Sequence, residues 1–323
     1  MKKELKIAKL FLENSEVVAI PTETVYGLAA NAFDEIAVHK IFKIKGRPLF
    51  NPLIVHIKSI ESLSTVAQNI PEVALKLAHL FWPGPLTLVL EKQNSIPNCV
   101  TANKNTVGVR VPSHLLTLEL LHELDFPLAA PSANPFGYIS PTKAAHVKEQ
   151  LGDKIPYILD GGICENGIES TIIGFENNNP ILYRVGAISK EIIEAKIGLI
   201  GEKTSSKSTP EAPGMLSKHY SPKTKFVVTI NIDFEVKKYK NQKIGLLLFD
   251  FEMIDDKIKI IHLSKNKSLS EAAHNLYNAM HQLDALNLDV IIAQQLPNKG
   301  LGISINDRLF RAQETKFEFN TQK

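Results

Sequence analysis

The chain is poor in cysteine: Cys99 and Cys164 are the only two among 323 residues. Two are too few for a disulfide framework, and they lack the paired spacing of a zinc site. Both thiols are therefore expected to be reduced, in a cytoplasmic setting. Long apolar runs are also missing. Stretches such as Leu246-Leu247-Leu248-Phe249 fall far short of the ~18–20 residues that a membrane span needs. The opening MKKELKIAKLFLENSEVVAI soon carries Glu4, Glu13 and Glu16, so it is not expected to be a secretory signal. No excess of one charge exists. The formal net charge is +3, with 22 basic and 22 acidic side chains up to residue 222 and 15 against 12 beyond it. Neither part is a basic domain that coats nucleic acid. An anionic ligand would have to be held by a few well-placed cations.

Common catalytic signatures are absent as well. There is no Gly-x-Ser-x-Gly elbow, no His-Glu-x-x-His, no Walker loop and no Gly-x-Gly-x-x-Gly turn. Gly201-Glu202-Lys203-Thr204 resembles a phosphate loop only superficially, because the upstream glycine spacing is wrong. No repeat or heptad run occurs.

What remains is a chain whose length favours two domains at about 100–200 residues each. Residues 1–200 mix helical and strand signals. Helices are expected at 4–13, 34–41, 71–81 and 115–124, the second capped by Asp34. Strands are expected at 17–20, 53–57, 86–90, 107–110 and 127–130, and around Ile158, Ile172 and Leu182. Ser140-Pro141 reads as the cap and first residue of a further helix. Residues 201–222, GEKTSSKSTPEAPGMLSKHYSP, read as a linker. Its Met, Leu, His and Tyr are unusual for a spacer. They either pack the linker down or also touch ligand. Residues 223–323 alternate strands (226–230, 244–249, 258–263, 290–293) with helices (269–286, 305–312), as in a small parallel, Rossmann-like sheet. His274 and His281, two helical turns apart, read as a solvated helix face.

Several polar loops each follow a short apolar strand. They contain Pro21–Leu28, Lys43–Pro52 leading to His56, Thr106–Pro112, Ala130–Pro135, Ser140–Thr142, Glu169–Thr171 and Arg184–Gly186. Loops beyond strand ends are where open α/β sheets bind ligands. These supply Lys45, Arg47, Arg110 and Arg184, with only Glu23 and Glu169 as acids. Converging cations with few carboxylates suit a polyanion such as a nucleoside triphosphate. Thr24, Thr106, Ser132, Ser140 and Ser170 offer hydroxyls to orient it. Each has a plainer reading: Thr22, Thr24 and Ser140 as helix caps, Arg110 as the partner of a buried acid.

In this order the segments resemble the YrdC-like family of threonylcarbamoyl-adenylate synthases over about residues 1–200. The linker with Ser217–Pro222 and the extra domain resemble its two-domain branch. The resemblance implies an α/β fold with a twisted mixed open sheet, plus a smaller Rossmann-like C-terminal domain. It implies condensation of L-threonine, bicarbonate and ATP to threonylcarbamoyl-adenylate and pyrophosphate, with Mg²⁺ carried on ATP. The product would pass to a transferase that modifies tRNA. Catalytic roles fall on Lys45 and Arg47. Thr24, His56, Arg110, Ala130 and Ser170 would meet threonine. Lys45, Arg47, Asn51, Thr106, Ser132, Ser140, Arg184, His219 and Tyr220 would surround ATP. Contact with tRNA itself is expected to be weak, with no dedicated metal site and no membrane partner. The competing reading is a non-enzymatic protein that binds double-stranded RNA or tRNA on its cationic face.

Overall fold

The computed structural model describes residues 2–204, 211–215 and 219–313. The rest of the expected linker, including Leu216, Ser217 and Lys218, lies outside the described residues.

The first unit contains β1 (Val18–Ile20), β2 (Gly27–Asn31), β3 (Ile54–His56), β4 (Ala67–Gln68), β5 (Leu86–Lys92) and β6 (Thr106–Arg110). It continues with β7 (Leu128–Ala129), β8 (Tyr157–Ile158), β9 (Thr171–Glu176), β10 (Asn179–Arg184) and β11 (Gly201–Glu202). They form one mixed sheet in the order β11-β10-β9-β5-β6-β3-β7-β2-β1-β8, with β4 on the side of β5. The helices are α1 (Lys2–Glu13), α2 (Glu35–Lys45), α3 (Glu72–Phe81), α4 (Asn98–Thr101), α5 (Leu115–Glu123), α6 (Ala144–Leu151) and α7 (Lys190–Ile197).

Local chemistry explains the ends. Asp34 Oδ1 accepts from the Ile36 and Ala37 amides and so caps α2, while Gly46 closes it in the left-handed region at φ 62°. Such a stop turns the chain sharply and leaves Lys45 and Arg47 at the end of a helix whose other face is core. Two expectations fail here. Ser140 caps no helix: α6 starts at Ala144 with Lys143 before it, and the Ser140 hydroxyl goes to Glu169 instead. The supposed linker begins later than residue 201, because Gly201 and Glu202 pair in parallel with Ile181 and Leu182 at the sheet edge.

The second unit holds β12 (Lys225–Thr229), α8 (Ile232–Lys238), β13 (Ile244–Leu248), β14 (Lys259–His262), α9 (Leu269–Asp284), β15 (Val290–Gln294) and α10 (Leu301–Ala312). Its four strands run in the order β12-β15-β13-β14 with every pairing parallel. The two units share a core. Val25, Ile139 and Ile168 from the first pack with Leu276, Met280, Ile305 and Leu309 from the second. His281 is buried in this seam and stacks on His146 of α6, with ring centroids 3.9 Å apart. It is thus not the solvated residue that its spacing suggested; a histidine on an apolar stripe is hidden once another domain covers that stripe. No helix among the described residues is long and apolar enough to cross a membrane.

Candidate active site

A cleft opens where β3, β6 and β10 end and β9 begins, and Pro213, Gly214, His219 and Tyr220 border it. Its position follows from topology: the ends of β3, β6 and β10 and the start of β9 lie at one end of the sheet, because β10 runs antiparallel to β9, β9 parallel to β5, β6 antiparallel to β5, and β3 parallel to β6.

Three guanidiniums meet there. Arg110, the last residue of β6, is buried; its Nη2 lies 2.6 Å from Glu23 Oε1 and its Nη1 donates to Thr24 Oγ1 at 3.0 Å. Its Nε is buried with no hydrogen-bond partner. Arg47 is fixed from behind: Nε donates to Asn51 O at 3.0 Å, and Nη2 to Asn51 Oδ1 and Pro52 O, both at 2.7 Å. The Phe136 ring lies 6.0 Å from its guanidinium carbon. Arg184, ending β10, donates through Nε and Nη2 to Ser170 O at 3.1 and 2.9 Å, through Nη2 to Ser170 Oγ at 3.0 Å, and through Nη1 to Pro213 O at 3.0 Å.

Thr24, His56, Ala130, Ser132, Ser170, His219 and Tyr220 line the same cleft. The structure therefore brings together most residues singled out in the sequence. Four stand elsewhere. Lys45, Asn51 and Ser140 are buried just behind the wall. Lys45 Nζ donates to the Ser132 and Asn134 carbonyls, Asn51 buttresses Arg47, and Ser140 donates to Glu169 Oε1 at 2.7 Å. Thr106 is not at the cleft: it starts β6, and borders a surface hollow with Glu91 and Asn105. A strand advances about 3.3 Å per residue, so four residues carry Thr106 well away from Arg110.

The electrostatics are set by burial and by cations packed close together. Burial, with Arg47 close by, pushes Lys45 well below the usual lysine range. Burial and then Arg184 lower Arg47. His219 is held uncharged by burial and by Arg47, Lys45 and Arg184. His56 falls to about 3, from burial and then Arg110. Cations packed this closely repel one another, and a bound polyanion would relieve the repulsion.

Two residues escaped the sequence reading. Tyr277 on α9 and Arg308 on α10 reach across from the second unit to Glu169, which also lines the cleft. One signal was present. Arg308 falls between Ile305, Leu309 and Ala312 at helical spacing, so a charge sits inside an apolar stripe.

Two close approaches explain glycines in the motifs. A Cβ on Gly186 would lie 2.4 Å from Ser170 C and Thr171 N. Gly214, at φ 86°, would place one 2.9 Å from Arg184 Cδ and 3.1 Å from the Tyr220 hydroxyl.

Comparison with known proteins agrees in both units. Residues 10–186 match the Sua5/YciO/YrdC family model, described as "Telomere recombination". Residues 188–313 match "Threonylcarbamoyl-AMP synthase, C-terminal domain". The threonylcarbamoyl-AMP synthase of Pyrococcus abyssi is 41% identical over 322 residues, covering 96% of this chain and 94% of the relative. That of Bacillus subtilis is 40% identical, covering 94% and 91%. The crystal structure of P. abyssi Sua5 complexed with L-threonine superposes with a TM-score of 0.91 over 97% of this chain and 94% of that one.

Proposed function

The chain belongs to the Sua5/YciO/YrdC family in its two-domain form, and from that premise we propose that it is a threonylcarbamoyl-AMP synthase. It condenses L-threonine, bicarbonate and ATP to threonylcarbamoyl-adenylate, pyrophosphate and water, for the threonylcarbamoyladenosine modification of tRNA. The observation that carries this reading is the convergence of Arg47, Arg110 and Arg184 on one buried cleft in a chain with almost no net charge.

The chemistry needs such a cleft. The threonine amine attacks bicarbonate; water leaves and a carbamate forms. A carbamate oxygen then attacks the α-phosphorus of ATP, and pyrophosphate departs. Carboxylate, carbamate and triphosphate are all anionic, so each approach costs Coulomb energy unless fixed cations offset it. Arg110 receives the threonine carboxylate: its Nε is free, and the Glu23 and Thr24 contacts hold its fork in place. Thr24, Ala130 and Ser170 frame the rest of the amino acid. Arg47 and Arg184 take the phosphates, with Ser132, His219 and Tyr220 around the nucleotide. Lys45, Asn51 and Ser140 act by holding the loops and side chains that touch it. Thr106 carries no role in this account.

His56 is uncharged in the cleft, and its Nδ1 is buried without a hydrogen-bond partner. A carboxylate on Arg110 would offset the charge that depresses His56 and make the ring a better proton acceptor for the amine. Glu169, which lines the cleft, and Glu23, paired with Arg110, are both engaged by protein donors. We therefore read Mg²⁺ as arriving on ATP, held by phosphate oxygens and water. Catalysis is then positioning and charge stabilisation without a covalent enzyme intermediate. We place the reaction in the cytoplasm and its product with a tRNA-modifying transferase; free Cys99 and Cys164 agree with a reducing compartment.

The test is pyrophosphate release from ATP. It should appear only when threonine and bicarbonate are both present, and release that ignores either would refute the assignment.

A further inference from the structure

Glu169 is an anomaly in a site built to hold anions. It lies on the same wall of the cleft as Ser170 and Arg184. A free carboxylate there would repel phosphate and compete with it for Arg184. Its oxygens are instead taken from behind. The Tyr277 hydroxyl lies 3.0 Å from Oε1 and 2.9 Å from Oε2, and Arg308 Nε donates to Oε2 at 3.2 Å. Burial alone would raise the Glu169 pKa, but Arg308, Arg184 and the Ser140 hydroxyl outweigh it and keep the carboxyl below its ordinary value.

Arg308 is fully buried. Its Nη1 donates at 2.6 Å to the carbonyl of Val185, the residue after Arg184. Its guanidinium carbon lies 5.7 Å from the centre of the Tyr220 ring, which itself lines the cleft. Burying an arginine is costly, and apolar residues would join two domains more cheaply. A charge at this position therefore asks for a reason other than adhesion.

We propose that Arg308 and Tyr277 are positioning residues for the phosphate end of the cleft. They hold the Glu169 carboxylate neutralised and turned from Arg184. The second domain is thereby part of the ATP site without touching ATP. This rests on the reading of the polyanion as ATP.

The test is calorimetry on the full chain with an ATP analogue whose α,β-bridge cannot be cleaved, and separately with threonine. With Arg308→Gln, affinity for the analogue should fall about tenfold and affinity for threonine less than about twofold. Adding Glu169→Gln to Arg308→Gln should bring the analogue back to within about threefold of wild type, because the unpaired charge is gone. Equal losses for both ligands, or a double variant no better than Arg308→Gln, would overturn the proposal. Should Arg308→Gln not fold, the isosteric Tyr277→Phe replaces it. That variant should weaken the analogue alone, by about threefold, and Glu169→Gln should remove the defect; unchanged affinity in Tyr277→Phe overturns the proposal too. Wild-type chain that failed to bind the analogue would sink the ATP reading with it. Wild-type binding with failed variants sinks this proposal alone.

Discussion

Arg110, proposed to receive the threonine carboxylate, is paired yet not saturated. Its Nη2 contact with Glu23 makes a buried pair of zero net charge, with both side chains about 4% exposed. Under the proposed assignment, what it would offer threonine is direction as much as charge: a planar fork whose Nε still lacks a partner. The choice of variant follows. Arg110→Ala would leave Glu23 buried alone, a loss of about 3–5 kcal/mol that confuses folding with binding. Arg110→Lys keeps the charge beside Glu23 and removes the fork. It should weaken threonine by about ten- to a hundredfold, while ATP changes less than about threefold. Parallel titrations of the two substrates decide it, and equal losses would place the carboxylate elsewhere.

At the scale of elements, the site depends on strand ends held closer than side chains allow. Val185 and Gly186 follow β10 and run directly against Ser170 and Thr171 at the start of β9, and Gly186 has no room for a Cβ. The approach lets Arg184 reach Ser170 with two nitrogens. Gly186→Ala must push these segments apart. Overpacking of this kind costs about 1–3 kcal/mol, so a lower Tm together with weaker ATP binding is expected, and a lower Tm alone would separate the glycine from the site. The same elements show what could be read in the chain beforehand. Strands such as β5 and β13 announce themselves because their apolar runs are local. Arg47, Arg110 and Arg184 were legible because each sits at or just beyond the end of a strand or helix signal. The Ser140 cap was misread because Ser-Pro favours a helix start locally, whereas a buried carboxylate 29 residues away offered the hydroxyl a stronger partner. Glu169's donors from α9 and α10 depend on how the two sheets dock, and spacing along the chain does not encode that. β2 was missed because Gly27-Leu28-Ala29-Ala30 lacks β-branched residues; pairing with β1 and β7 forms it nonetheless.

At the scale of the whole molecule, the seam between the domains carries both the shared core and two stacked imidazoles. Burial, then its neighbour His281 and Lys143, lowers His146 to about 3. His281 falls to about 4: burial dominates, Lys143 adds to it, and the Ser140 carbonyl and Asp284 oppose it. Two adjacent rings that must stay neutral make the docked state sensitive to acid. In the unfolded chain each histidine titrates near its ordinary 6.5. Below that pH the unfolded state binds protons that the folded state refuses, so stability falls as pH drops, until about 4 for His281 and about 3 for His146. Above 6.5 both states are neutral and the contribution is flat. Each ring adds up to about 1.4 kcal/mol per pH unit to that slope. Urea unfolding measured from pH 7.5 to 4.5 should therefore show stability decreasing steeply below 6.5. In His146→Gln/His281→Gln the slope should shrink by up to two protons, even though the lost stacking lowers stability at pH 7.5. An unchanged slope in the double variant would move the acid sensitivity away from the domain seam, to His56 and His219 in the cleft.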